Sequence, residues 1–141
     1  SLKSAGEKEG FVWWARGDIL IAQNPSTAEF CFRKARESAS NKSEIMLSIA
    51  KSYLSAGKTN SAYKTLTAIR NEQESNPQYW FYLGVCYEFL GEIEKAKASY
   101  KRALLVKPDY EFAKKALARL ENRGLLFKIW ALIKRLARSE K

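Results

Sequence analysis

The side chains best suited to covalent or metal chemistry in this chain are two thiols, Cys31 and Cys86, and histidine is absent altogether. A catalytic nucleophile needs a neighbouring base or a depressed pKa. Both cysteines instead fall inside apolar stretches without a base or a metal-ligand spacing around them. They read as buried thiols in a cytoplasmic or other reducing compartment. With histidine missing, the commonest general base and the commonest metal ligand are both gone. The carboxylates are scattered in the manner of solvated helix surfaces, and no phosphate-binding loop occurs. Catalytic residues: none, metal ligands: none and cofactors: none is the resulting reading, and the chain is not expected to be an enzyme.

Charge is the second chemical feature. The net charge is +10, and it is uneven: residues 1–100 hold 13 Lys/Arg against 11 Asp/Glu, residues 101–141 hold 12 against 4. Within the basic end, Leu126, Ile129, Trp130, Ile133 and Leu136 fall on one face of a helix, while Lys128, Lys134, Arg135 and Arg138 form a basic surface around the rest. Such a helix suits a membrane surface or a groove on another protein. The expected arrangement is plainer: the break at Gly124 turns residues 125–141 back to pack on the helix before it, burying Ile129, Trp130 and Ile133. No apolar stretch reaches the about eighteen residues needed to span a bilayer, and the first residues lack a signal-peptide pattern. Nucleic acid is not an expected partner, because no recognised reading module accompanies the basic charge.

The elements that must position these groups emerge from an internal repeat. From Pro77 the chain gives Trp80, Leu83, Gly84 and Tyr87, then Gly91, Ala96, Tyr100, Ala103 and Pro108. The first four lie on one stripe of a helix, and Ala96, Tyr100 and Ala103 on one stripe of a second. Small residues at Gly84, Ala96 and Ala103 let two backbones approach, Gly91 supports the turn, and Pro108 stops the second helix. This pattern resembles the tetratricopeptide repeat, whose period is 34 residues. One period earlier stand Met46, Ile49, Ala50, Tyr53, Gly57, Ala62, Leu66 and Ile69. A further step gives Val12, Ala15, Ile19, Ala28, Phe32 and Ala35, although Gly17 would take the glycine slot if the turn were one residue shorter.

The expected fold is therefore all-α, a solenoid of about three helical hairpins. Residues 1–8 should be disordered, the hairpins should occupy about 9–42, 43–76 and 77–110, and a capping helix should run over 111–123. The last helix, over 125–141, should be amphipathic and basic.

For function, the resemblance implies a concave groove, lined by the first helix of each hairpin, that holds a peptide or helix of a partner. Carried over by position, the groove would show Trp13, Leu47, Lys51, Gln78, Phe81, Tyr82, Val85 and Phe89, with Lys115 and Arg119 at the capping end. Aromatic pockets with a basic edge suit a partner with hydrophobic and acidic residues. One subtype of the family clamps a C-terminal carboxylate with lysine, asparagine and arginine. Trp13 with Gly17 or Asp18, then Ser48, Gln78 and Tyr82 do not make that clamp. The expected function is a non-enzymatic adaptor, scaffold or chaperone-like module. The alternative is a membrane-peripheral assembly factor docked on anionic lipid by the basic helix.

Overall fold

Asparagine and proline set where several helices begin. Asn24 Oδ1 accepts from Thr27 N at 3.2 Å, Asn41 Oδ1 from Glu44 N at 3.3 Å and Asn76 Oδ1 from Gln78 N at 3.0 Å. Each thereby satisfies an amide that has no partner within its helix. Pro25 and Pro77 follow two of these caps, where a missing N–H costs nothing. The computed structural model describes residues 2–139 as eight helices. They are α1 (Leu2–Leu20), α2 (Pro25–Ser38), α3 (Lys42–Ser55), α4 (Thr59–Ala68), the short α5 (Arg70–Gln73), α6 (Pro77–Phe89), α7 (Ile93–Val106) and α8 (Glu111–Ser139). Among the described residues there is no strand.

Three hairpins result: α1 with α2, α3 with α4, and α6 with α7. Neighbouring hairpins meet through α1 on α3, α3 on α6 and α4 on α6, and α8 closes the row on α7. The turns of the second and third hairpins use Gly57 and Gly91 at φ 74° and 79°. Only glycine adopts that left-handed conformation without steric cost. The first hairpin turns without one: the amides of Gln23 and Asn24 both reach the Leu20 carbonyl, at 3.0 and 2.7 Å.

Inside each outer hairpin a glycine lies against an aromatic ring. A Cβ placed on Gly84 would come within 2.7 Å of Tyr100 Cδ1, and one on Gly17 within 2.6 Å of Phe32 Cδ1. The two pairs are equivalent, which fixes the register of α1: Gly17 takes the glycine slot and Trp13 the tryptophan slot. The spacing that aligned Val12 and Ile19 with core positions is corrected, since these are 64% and 73% exposed. Sixteen positions separate Gly84 from Tyr100 and fifteen separate Gly17 from Phe32, so the first turn is one residue shorter. Around these contacts runs one continuous core through Phe32, Ile49, Tyr53, Leu66, Trp80, Leu83, Tyr100 and Leu120.

Both ends of the chain differ from the sequence expectation. Residues 2–8, expected to be disordered, belong to α1, while Ser1 lies outside the described residues. The reason is a close helix crossing: a Cβ on Gly6 would sit 2.8 Å from the Ser38 carbonyl oxygen, and one on Gly10 3.2 Å from that of Ala35. Glycines four apart put a backbone-deep notch on α1 where α2 ends. At the other end no turn forms at Gly124. Its φ is not positive, nothing lies within 4 Å of the Cβ it lacks, and α8 runs through it. A glycine in mid-helix costs only about 1 kcal/mol, too little to break a run of good helix formers. Residues 125–139 therefore do not fold back on the capping segment. Positions 140 and 141 of the expected last helix lie outside the described residues.

Candidate partner-binding surfaces

The first helices of the hairpins form one face of the row, and one recess on it lies between α1 and α3. Trp14, Asp18, Ile21 and Ala22 meet Lys51, Ser55 and Ala56 around a volume of about 250 Å3. Trp14 Nε1 donates to Ser52 Oγ at 3.0 Å, and that hydroxyl donates to Asp18 Oδ1 at 2.5 Å. Ser52 is fully buried, so the bridge ties α1 to α3 and fixes both the indole and the carboxylate at the mouth of the recess. Lys51 stands exposed on the opposite wall. A second recess of about 210 Å3 on the same side is lined by Glu7, Phe11, Glu44, Ile45 and Ser48. The face is therefore apolar at its floor and mixed in charge at its rim.

Trp13, expected in the groove, points the other way. Its ring meets Phe30 of α2 edge-on at 5.8 Å, with the Arg16 guanidinium over it at 5.8 Å. One residue of register decides this, and Trp14 takes the groove side. Leu47, also expected on the surface, is 6% exposed and belongs to the core. The repeat spacing does not single out Trp14, Asp18 and Ser52 as site residues, although the Gly17 alternative carries the signal that finds them.

On α6 the expected groove residues split. Gln78 is exposed, and its Nε2 donates to Tyr82 Oη at 2.8 Å. Tyr82 itself is buried, and burial pushes its hydroxyl pKa up to about 12, so it stays a neutral phenol. Phe81 is the centre of a ring cluster, with Tyr82, Tyr100, Tyr110 and Phe112 at centroid distances of 6.0, 5.7, 6.1 and 5.7 Å. These contacts pack Phe81, half-buried on α6, against α7 and the start of α8, with Phe112 65% exposed at the edge of the cluster. Val85 is half-buried, and Phe89 is 66% exposed.

The capping end is equally divided. Lys115 is exposed. Arg119 is committed: its Nη1 and Nη2 donate to Glu88 Oε2 and Oε1 at 2.9 and 2.8 Å, and Tyr100 Oη donates to the same carboxylate. Burial alone would raise the Glu88 pKa, but the hydrogen bonds from Arg119 and Tyr100 outweigh it and hold the carboxyl below its ordinary range. Arg119 is thus a clasp between α8 and α6 and not a hand for a partner's acid.

The basic surface residues Lys128, Lys134, Arg135 and Arg138 stand on the exposed arm of α8, where Phe127, Trp130 and Ile133 are 67%, 53% and 60% exposed. Lys134 Nζ lies 4.4 Å from the centre of the Trp130 ring. Cys31 and Cys86 are buried, and burial pushes the Cys86 pKa up to about 12, which leaves it a poor nucleophile. Among the described residues no group of His, Cys, Asp or Glu is placed to hold a metal ion.

Residues 22–103 match the family model described as anaphase-promoting complex, cyclosome, subunit 3. The chain belongs to this tetratricopeptide-type family. Two solved structures have the same fold. The first TPR of Spaghetti (RPAP3), bound to the HSP90 peptide SRMEEVD, is 19% identical with a TM-score of 0.67, covering 83% of this chain and 94% of that one. The second TPR domain of human RPAP3, in complex with the HSP70 peptide SGPTIEEVD, is 19% identical with a TM-score of 0.66, covering 84% and 98%. No curated protein matches the chain. Membership of the repeat family makes protein interaction the class of function.

Proposed function

We propose that the chain is a non-enzymatic adaptor or scaffold that holds a peptide or helix of a partner protein on the face formed by its first helices. The observation that carries this reading is the recess at Trp14, an indole held by Ser52 between Asp18 on one side and Lys51 on the other. A fixed aromatic wall supplies apolar affinity, and flanking charges select and steer. The two solved likenesses hold acidic peptides, but Trp14, Asp18, Ser48, Gln78 and Tyr82 differ from a carboxylate clamp, and Asp18 and Glu44 would repel such an end. A segment with one or more apolar anchors and both signs of charge fits better, its acids toward Lys51 and Lys115. A photo-crosslinking residue at Ser55 should capture the partner, and one at Lys101 on α7 should not. Lys51→Glu should then slow association with the captured partner and change its salt dependence. Equal capture from both positions would sink the reading.

A second reading is supported by the bare arm of α8. The chain would then be a membrane-peripheral assembly factor in a reducing compartment, its arm on anionic lipid and its recess on a client. Co-sedimentation with anionic vesicles, with and without residues 125–141, tests it, and equal behaviour of the two forms would remove it.

A further inference from the structure

Beyond Gly124, α8 leaves the fold but does not stop. All residues from 125 to 139 are exposed, so the helix gains nothing from packing and carries its apolar side in the open. That side is continuous: Leu126, Ile129, Trp130, Ile133 and Leu136 repeat at helical spacing and are 45–65% exposed. Lys128, Arg135 and Arg138 occupy the opposite arc, where Phe127 and Leu132 also lie, 67% and 53% exposed, and Lys134 stands at the border over the Trp130 ring. Between Glu121 and Glu140 there is no acidic residue. A second copy of this chain is a less complementary cover than an anionic surface, because it carries the same net charge of +10 and offers no acid along its own arm.

Length separates lying from crossing. Residues 125–138 as helix measure about 21 Å at about 1.5 Å per residue. The hydrocarbon core of a bilayer is about 30 Å thick. No described helix is long and apolar enough to cross it.

We propose that residues 125–138 lie flat in the interface of an anionic leaflet, with Ile129, Trp130, Ile133 and Leu136 among the acyl chains and Lys128, Arg135 and Arg138 among the lipid phosphates. This rests on the membrane-peripheral reading and adds the lipid charge, the depth and the face. A tryptophan with a lysine over it is the pair expected at such a boundary, apolar below and cationic above. Because α8 is one helix from Glu111 to Ser139, and Arg119 binds it to Glu88, docking would hold the last hairpin rigidly against the surface.

The test uses the full chain with a cysteine introduced on the arm, since the native Cys31 and Cys86 are buried and should resist labelling. An environment-sensitive fluorophore is attached at Ile133→Cys or at Arg135→Cys. Each protein meets phosphatidylcholine vesicles with or without phosphatidylglycerol. On anionic vesicles the label at 133 should shift to the blue and escape acrylamide quenching, while the label at 135 stays quenchable; neutral vesicles should do neither. Arg135→Gln with Arg138→Gln should weaken partition onto anionic vesicles roughly thirtyfold. If the protein sediments with anionic vesicles while both labels remain quenchable, the flat docking is wrong and the membrane reading stands. If it sediments with neither vesicle, both fall. Concentration-dependent association that shields position 133 without lipid would assign the face to a second copy and overturn the proposal.

Discussion

Arg119 meets Glu88 with both arms of its guanidinium, at 2.8 and 2.9 Å, and so joins the capping helix to the third hairpin. The arginine side chain is 52% exposed and the glutamate 16%, so solvent screens the pair in part. Arg119→Ala should cost about 0.5–1 kcal/mol, near the upper end for such pairs. Glu88 titrates below its ordinary value of 4.5 in the folded chain. Its contribution is therefore complete above the unfolded pKa and is lost as pH falls through the folded one. Urea melts at neutral pH and below pH 4.5 should show the wild type losing stability that Glu88→Gln does not lose.

Gly84 and Gly17 each face a buried ring that has no room to move. Gly84→Ala and Gly17→Ala should each destabilise by about 1–3 kcal/mol through overpacking. Thermal melting checks both, and a Gly17→Ala variant as stable as wild type would contradict the register assigned to α1.

How far these contacts can be read from sequence depends on what the repeat spacing assumes. The third hairpin is legible because Trp80, Gly84, Tyr100 and Pro108 each satisfy a steric need at a fixed interval. The first slips by one position because a fixed period presumes equal turns, and its turn lacks the left-handed glycine that fills out the other two. Gly6 and Gly10 look like flexible composition, yet a missing side chain also permits backbone contact, and only the neighbouring Ser38 and Ala35 carbonyls distinguish the two. Gly124 poses the reverse problem: glycine ends a helix only when it turns left-handed, which depends on whether the next residues gain more by turning back than by continuing the helix. The aromatic excess at Phe81 and Tyr82 is visible in the sequence, but whether α7 and α8 cover it is a property of three helices at once.

Ser52 is buried between Trp14 and Asp18, and removing its hydroxyl strands the half-buried Trp14 N–H while the exposed Asp18 carboxylate turns to water. Ser52→Ala should cost about 1–3 kcal/mol. It should also weaken partner binding at the recess, because the indole loses its fixed orientation. Chemical denaturation followed by partner calorimetry separates the two effects, and unchanged stability would mean that the bridge is dispensable.

Phe81→Ala opens a hole in a five-ring cluster and should destabilise by about 2–4 kcal/mol, before any question of binding arises. Circular dichroism melts decide the matter. A Phe81→Ala chain that melts like wild type would return Phe81 to the groove.

Truncation at Gly124 should leave the melting temperature unchanged, since residues 125–139 bury nothing, and should raise solubility by removing exposed apolar side chains. A marked fall in melting temperature would show that the arm packs somewhere on the fold.

A helix that serves as both end cap and arm also decides how the row comes apart under load. In a stack of repeats each unit is steadied by its neighbours, and α8 buries only Ala113, Ala116 and Leu120 of its own length. A pull on the arm travels undiminished along one stiff rod to that thin seam and to the Arg119 clasp. The solenoid would then unzip from the C-terminal side, the cap first and the α6–α7 hairpin next, while the glycine-notched crossing of α1 and α2 stays shut.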